Sequence, residues 1–214
     1  MCNLYRMRRS SAEVAGLFRA AGVTATNSGE EIYPGAPGLV VIEHEGARAL
    51  RSMTWGFPLP MKSKRTGLPI KPKPVNNIAD LTSWMWRHIA PHPANRCLIP
   101  VTEFAEAEGQ AGSKTRTWFS VSDEPIFAWA GLWRDSDEWG PVYSGLMTDA
   151  NAAIAPVHDR MPVILRPDEH DAWLHGSIDD VIAFQRRVYP PERISMDRTR
   201  DPWIRKAAVN GPLI

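Results

Sequence analysis

The chain has 214 residues, 43% of them apolar and 23% charged, with a formal net charge of +1. This length suits a single domain with a sizeable core, and the composition excludes a disordered chain. No apolar run reaches the ~18–20 residues of a membrane helix, and the N-terminal MCNLYRMRRS lacks the apolar stretch of a signal peptide, so a soluble cytoplasmic protein is expected.

Ser10-Ser11-Ala12-Glu13 predicts a capped helix start, with Val14, Leu17, Phe18 and Ala21 at helical spacing and Gly22 as the stop. Residues 39–44 and 47–57 predict two strands around Glu45-Gly46. The stretch from Pro58 to Pro74 is rich in Pro, Gly and Lys and reads as a loop. A short helix is predicted over 81–89. Strands follow over 97–105, 115–122, 126–133, 142–148 and 162–165, then helices near 168–174 and 178–188. From about 190 the tail reads as polar and irregular. Many strands, few helices and no strand–helix alternation predict an α+β fold. The expected architecture is one domain over 1–214, with an antiparallel sheet or barrel-like core flanked by a few helices. No glycine-rich phosphate loop is present.

Two cysteines, Cys2 and Cys97, are too few for a disulfide framework. Cys97 lies inside an apolar strand and reads as core. Cys2 becomes the N-terminus if Met1 is removed, a step favoured before a small residue. It then carries an α-amine with a pKa of ~7.7–8 beside a thiol of ~8.5, both partly nucleophilic near neutral pH. A 1,2-aminothiol has a particular electrophile, the aldehyde, with which it closes a thiazolidine. A ring-opened abasic deoxyribose presents such an aldehyde.

Three further features carry chemistry. His158-Asp159-Arg160 stands at the entrance of an apolar strand, where His exchanges protons near neutrality and Arg grips phosphate. The apolar run from Cys97 ends in Glu103, Glu106 and Glu108, and a carboxyl in such a place is a candidate acid or base. Asn76-Asn77 can orient a terminus or a sugar hydroxyl. Lys62, Lys64, Arg65, Lys71 and Lys73 lie in a stretch without acidic residues, and Arg6, Arg8 and Arg9 form a second basic cluster; both suit phosphates. His88 and His92 are four residues apart but have Pro91 between them and no third ligand, so neither a metal nor a cofactor is expected.

Together these features resemble the SOS response-associated peptidase (SRAP) family, whose members crosslink to abasic sites. The resemblance is carried by Met1-Cys2, Trp55-Gly56, Pro74-Val75-Asn76-Asn77 and the strand from Arg96-Cys97-Leu98-Ile99-Pro100 to Glu106. It continues through Phe127-Ala128-Trp129-Ala130-Gly131-Leu132-Trp133 and His158-Asp159-Arg160-Met161-Pro162. It implies that Cys2 is the crosslinking nucleophile and that Asn77 positions the sugar and the terminus, with Asn76 one residue off in register. It further implies that Glu106 shuttles protons, that His158 assists ring opening and crosslink reversal, and that Arg160 binds a phosphate beside the lesion. The implied partner is single-stranded DNA carrying an abasic site, bound by a monomer, with peptidase activity toward Met1. Relatives often carry Arg where this chain has Leu4 and Ala79. The five basic residues at 62–73 are expected to compensate, with Trp55 and Phe57 stacking a base. Two other readings remain open. One is an N-terminal-cysteine amidotransferase or hydrolase; the other is a non-covalent single-stranded DNA-binding module.

Overall fold

A computed structural model describes residues 2–21 and 29–204. Met1 and the predicted helix stop at Gly22 lie outside the described residues. In chain order the elements are β1 (Tyr5–Arg6), α1 (Ser11–Phe18), β2 (Glu31–Ile32), β3 (Pro37–His44), β4 (Ala47–Trp55), β5 (Phe57–Lys62), β6 (Pro69–Val75) and β7 (Asn77–Ile78). Then come β8 (Arg96–Val101), β9 (Glu103–Glu108), β10 (Thr115–Val121), β11 (Phe127–Ser136), β12 (Gly140–Asp149), β13 (Arg160–Pro162) and β14 (Ile164–Leu165). The last are α2 (His170–His175), α3 (Ile178–Arg186) and β15 (Ile194–Pro202).

The α+β architecture with a barrel-like core is observed. Strands β4, β3, β8, β11 and β12 pair in that order, all antiparallel. The ring closes where β12 meets β4 in parallel, at Val142–Thr54 and Tyr143–Trp55. A second sheet runs β15-β10-β9-β1-β2. The N-terminal strand β1 is therefore an interior strand, with Tyr5 opposite Phe104 on one side and Ile32 on the other. Its Tyr5 is fully buried, edge-on to Trp55 and Trp129 at ring-centroid distances of 5.0 and 6.2 Å, and its hydroxyl bonds that of Tyr143. A residue three positions from Cys2 is thus locked into the core. Trp129 can lie flat against β12 because residue 145 is Gly: a Cβ there would fall 2.0 Å from the indole.

The helix over α1 starts as predicted. Ser10 Oγ accepts from Glu13 N, and the Glu13 carboxylate accepts from Ser10 N. It ends at Phe18, short of Ala21, because Arg19 adopts a left-handed conformation at φ 53°.

Three predicted segments differ. Residues 58–74 are not a loop but the arms of a β-hairpin, with Phe57 opposite Val75 and Lys62 opposite Pro69. Prolines are tolerated there because a two-stranded ribbon leaves outward-facing N–H positions unused. The segment 81–89 is a run of turns rather than a helix. Its bonds close single turns (Ile89 N and Ala90 N both to Trp86 O), and Pro91 stops propagation. The buried Arg96 guanidinium then draws the ends of this run inward, donating to the carbonyls of Ala90, Pro91, Trp173 and Gly176. The predicted irregular tail is ordered over its described part, for β15 pairs with β10 from Val121–Ile194 to Thr115–Pro202; residues 205–214 lie outside the described residues. Strand β15 is an edge strand with few apolar side chains, so alternation does not reveal it. Among the described residues no helix is long and apolar enough to cross a membrane.

Candidate active site

The pairing of β1 with β9 brings the N-terminal segment against the strand that carries Glu106, with Ala105 N donating to Leu4 O at 2.9 Å. Cys2 is fully buried, and its Sγ donates to Leu4 O at 3.5 Å. Burial, with the Glu106 charge second, raises the thiol pKa well above its ordinary value. The thiol is therefore held protonated and needs a base to act as a nucleophile.

Two amides hold the residue. Asn77 Nδ2 donates to Cys2 O at 2.7 Å and Asn76 Nδ2 donates to the same oxygen at 2.9 Å. Asn76 also reaches Asn3 Oδ1 at 3.2 Å. The accepting carbonyl belongs to the Cys2–Asn3 peptide, so these bonds fix Cys2 without touching the Met1–Cys2 bond. The Asn pair is itself clamped. Asn76 O accepts from Trp55 Nε1 at 3.0 Å and from Gly145 N at 3.1 Å, and β7 runs parallel to β12 with Asn77 beside Gly145.

Glu106 is 2% exposed, and burial pushes its carboxyl up to about 7. Both of its protonation states are populated at neutral pH, as a proton shuttle requires. Among the described residues, its Oε1 and the Oδ1 of Asn77 are buried without a hydrogen-bond partner. Two orphaned acceptors beside Cys2 are costly unless an N–H or O–H donor joins them during function.

His158 Nε2 faces Glu106 Oε2 at 3.9 Å. The Arg160 amide N–H lies 3.0 Å from Nδ1 and the Arg160 carbonyl 3.2 Å from the same nitrogen, so the ring is held in place through Nδ1 with Nε2 turned to Glu106. Partial burial lowers the imidazole pKa, so the ring is mainly neutral at pH 7. Asp159 Oδ1, 3.1 Å from Nδ1, favours the protonated form once the ring takes a proton.

Asn77 on β7 and Glu106 on β9 thus converge with Cys2, Asn76 and His158 from the segments that precede β1, β7 and β13. The remaining predicted residues fall elsewhere. Arg160 lies next to the site, but its guanidinium fastens the chain, donating to Thr148 O at 3.0 Å, Ala79 O at 3.1 Å and Met147 O at 3.2 Å. The expectation that Trp55 and Phe57 stack a base is corrected. Trp55 is 0% and Phe57 2% exposed; both fill the core, and Trp55 acts on the site through Asn76. Lys62, Lys64, Arg65, Lys71 and Lys73 are all exposed on the β5–β6 hairpin. The second basic cluster is largely neutralised. Arg6 pairs with Glu31 at 3.0 Å and lies over the Trp118 ring, Arg8 pairs with Glu103 at 3.4 Å, and Arg9 pairs with Glu13 at 3.5 Å. Leu4 is buried against Ala105 and Trp118. Sequence reasoning missed Lys114, whose charge reaches both Glu106 and His158. An isolated Lys beside a turn offers no signal of that proximity.

The sequence matches the SOS response associated peptidase (SRAP) family over residues 1–199. It is 27% identical over 165 residues to the abasic site processing protein YoqW of Bacillus subtilis, covering 74% of this chain and 72% of that protein. YoaM of the same organism, also named an abasic site processing protein, is 29% identical over 147 residues, covering 64% of this chain and 61% of its own. Among solved structures, a Bordetella bronchiseptica protein superposes with a TM-score of 0.75 at 21% identity, covering 92% of this chain and 99% of its own. A Bacteroides thetaiotaomicron protein superposes at 0.74 and 18% identity, covering 92% and 91%. With its Cys2-centred site and a match running from the N-terminus to within the last strand, this chain belongs to the SRAP family.

Proposed function

We propose that this protein joins itself covalently to abasic sites in single-stranded DNA through Cys2. The observation that carries the reading is the double clamp on Cys2: two Asn side chains on its carbonyl, with a buried carboxyl near neutral pKa beside it. The names of the Bacillus relatives, abasic site processing proteins, support the same substrate.

After Met1 is removed, the Cys2 amine attacks the aldehyde carbon of the ring-opened sugar. The carbinolamine loses one water to give an imine. The thiol then adds to the imine carbon, its proton passes to nitrogen, and a thiazolidine closes. No oxidant is needed, and the adduct weighs one water less than its two components. Glu106 takes the thiol proton and returns it to the amine; His158 relays protons to the sugar oxygens during ring opening and reversal. The orphaned acceptors on Glu106 and Asn77 receive the N–H donors of the new terminus. Removal of Met1 by the protein itself is the step to which the peptidase of the family name is best assigned. The exposed hairpin cations hold the strand by its phosphates.

The test is an intact-mass measurement after mixing mature protein with a single-stranded oligonucleotide carrying one abasic site. Wild type gains the oligonucleotide mass minus one water and gives a heat-resistant band on a denaturing gel; Cys2→Ala gives neither. Processed protein that forms no adduct overturns the proposal. Glutaminase activity in its place would favour an amidotransferase.

A further inference from the structure

Two clefts of about 440 and 430 Å³ meet at Trp203, the residue that follows β15. The first is bounded by Asn3, Leu4, Tyr33 and Arg116, the second by Lys114, Thr115 and Arg200, and among the described residues no carboxylate lines either one. Asn3 connects the first cleft to the site, because its side chain accepts from the same Asn76 amide that holds Cys2. Lys114 connects the second, because its charge reaches Glu106 and His158.

The aromatic groups here are pre-set. Trp203 N donates to Lys114 O at 2.8 Å, and its half-buried side chain packs on Leu4, Ala105 and Trp118. Tyr33 is 40% exposed, and its hydroxyl is held between Glu31 at 2.7 Å and Arg116 at 3.2 Å. Arg116 is spent on this task, with two bonds to Glu31 at 3.0 Å. Lys114 and Arg200 remain exposed on the far side of Trp203. A half-exposed indole beside a fixed phenol, with the Glu31 charge paired to Arg116 and Arg6 and with Lys114 and Arg200 exposed alongside, suits a flat aromatic group attached to phosphate. A nucleobase of a single strand is such a group. Trp203 also stands over Leu4, and it lies beyond the residues 1–199 that match the family.

We propose that Trp203 and Tyr33 form a stacking cleft for the nucleobase beside the lesion, with Lys114 and Arg200 receiving its phosphates. The proposal rests on the abasic-DNA reading of Cys2 and adds to it a surface for the neighbouring nucleobase.

The test compares two short single strands by fluorescence anisotropy, one with normal bases and one built of base-less tetrahydrofuran spacers. Wild type should prefer the base-bearing strand by about 5- to 150-fold, the range of one stacked base. Trp203→Ala should lose at least fivefold of that preference, while Trp203→Phe keeps most of it. Lys114→Gln should weaken both strands alike. A Trp203→Ala protein that discriminates as wild type does, or a Trp203→Phe protein that fails equally, overturns the cleft. Adduct mass is read separately. Adduct formation with undiminished base preference in Trp203→Ala sinks the cleft alone. Base preference that depends on Trp203 without any adduct sinks the crosslinking reading and leaves the cleft standing.

Discussion

Asn77 donates its side-chain amide to the Cys2 carbonyl at 2.7 Å, across 75 residues of sequence. The bond is buried, whereas the parallel bond from Asn76 is half-buried and shared with Asn3. Asn77→Ala should therefore slow adduct formation on the order of 10- to 100-fold, the scale of a misplaced reacting group. Asn76→Ala should cost less. Single-turnover rates on abasic DNA check the ranking, and equal losses would show that the two amides act as one unit.

Glu106 predicts a pH signature. Its carboxyl is raised from an ordinary 4.5 to about 7 by burial. The folded state thus holds a proton that the unfolded chain releases. This contribution to stability is fully present below about 4.5 and is lost as pH rises through about 7. Glu106→Gln should abolish this loss and exceed wild type in stability at pH 8, by up to about 3 kcal/mol. Denaturant melts at pH 4 and pH 8 decide it. The same variant should lose the rate inflection near neutral pH.

Trp55 predicts a separation of fold from function. Its indole N–H is one of two donors on Asn76 O, the other being Gly145 N. Trp55→Phe keeps most of the buried ring and removes that donor. The protein should fold with a stability loss of about 1–3 kcal/mol, while adduct formation falls more than the unfolded fraction explains. Circular dichroism alongside the rate assay separates the two effects.

The hairpin predicts salt dependence. Lys62, Lys64, Arg65, Lys71 and Lys73 project from β5–β6 and its turn without a carboxylate in the segment. Each phosphate contact to a single strand contributes about 0.7 to the slope of log affinity against log salt. Replacing these five by Gln should flatten that slope by as many such steps as there are contacts. The chemical step at saturating DNA should not change. An unaltered slope would place the DNA path elsewhere.

Arg96 predicts a loss of stability without a direct loss of chemistry. Its buried guanidinium serves four carbonyls. Arg96→Met should cost on the order of 3–5 kcal/mol. The fraction that stays folded should still crosslink, as an adduct assay normalised to native protein would show.

The barrel strands were legible because their side chains alternate or run fully apolar, as in Arg96–Val101 and Phe127–Trp133. The hairpin was not, because proline and lysine mask a ribbon that makes no core. The 81–89 turns resembled a helix because their apolar spacing is helical, while Pro91 and the reach of Arg96 back to Ala90 O prevent one. Cys2 and His158 stood out in the sequence through the chemistry of each group, while Glu106 was picked from Glu103, Glu106 and Glu108 by the family resemblance. Trp55 was misplaced because an aromatic residue beside a basic stretch looks the same in sequence whether it faces DNA or the core.

By itself, the sequence determined the kinds of group present: an aminothiol precursor at position 2, a carboxyl at the end of an apolar strand, an imidazole beside Arg, and paired amides. It also determined the strand-rich fold, since periodic burial is written in residue order. Only the tertiary structure decided that β1 is an interior strand, and hence that Cys2 is buried beside Glu106 with both Asn amides on one carbonyl. Only it decided that Glu106 titrates near neutrality, because desolvation depends on what surrounds a group and not on its neighbours in the chain. And only it brought Trp203 over Leu4, since that contact depends on β15 pairing at the sheet edge, which no local pattern encodes.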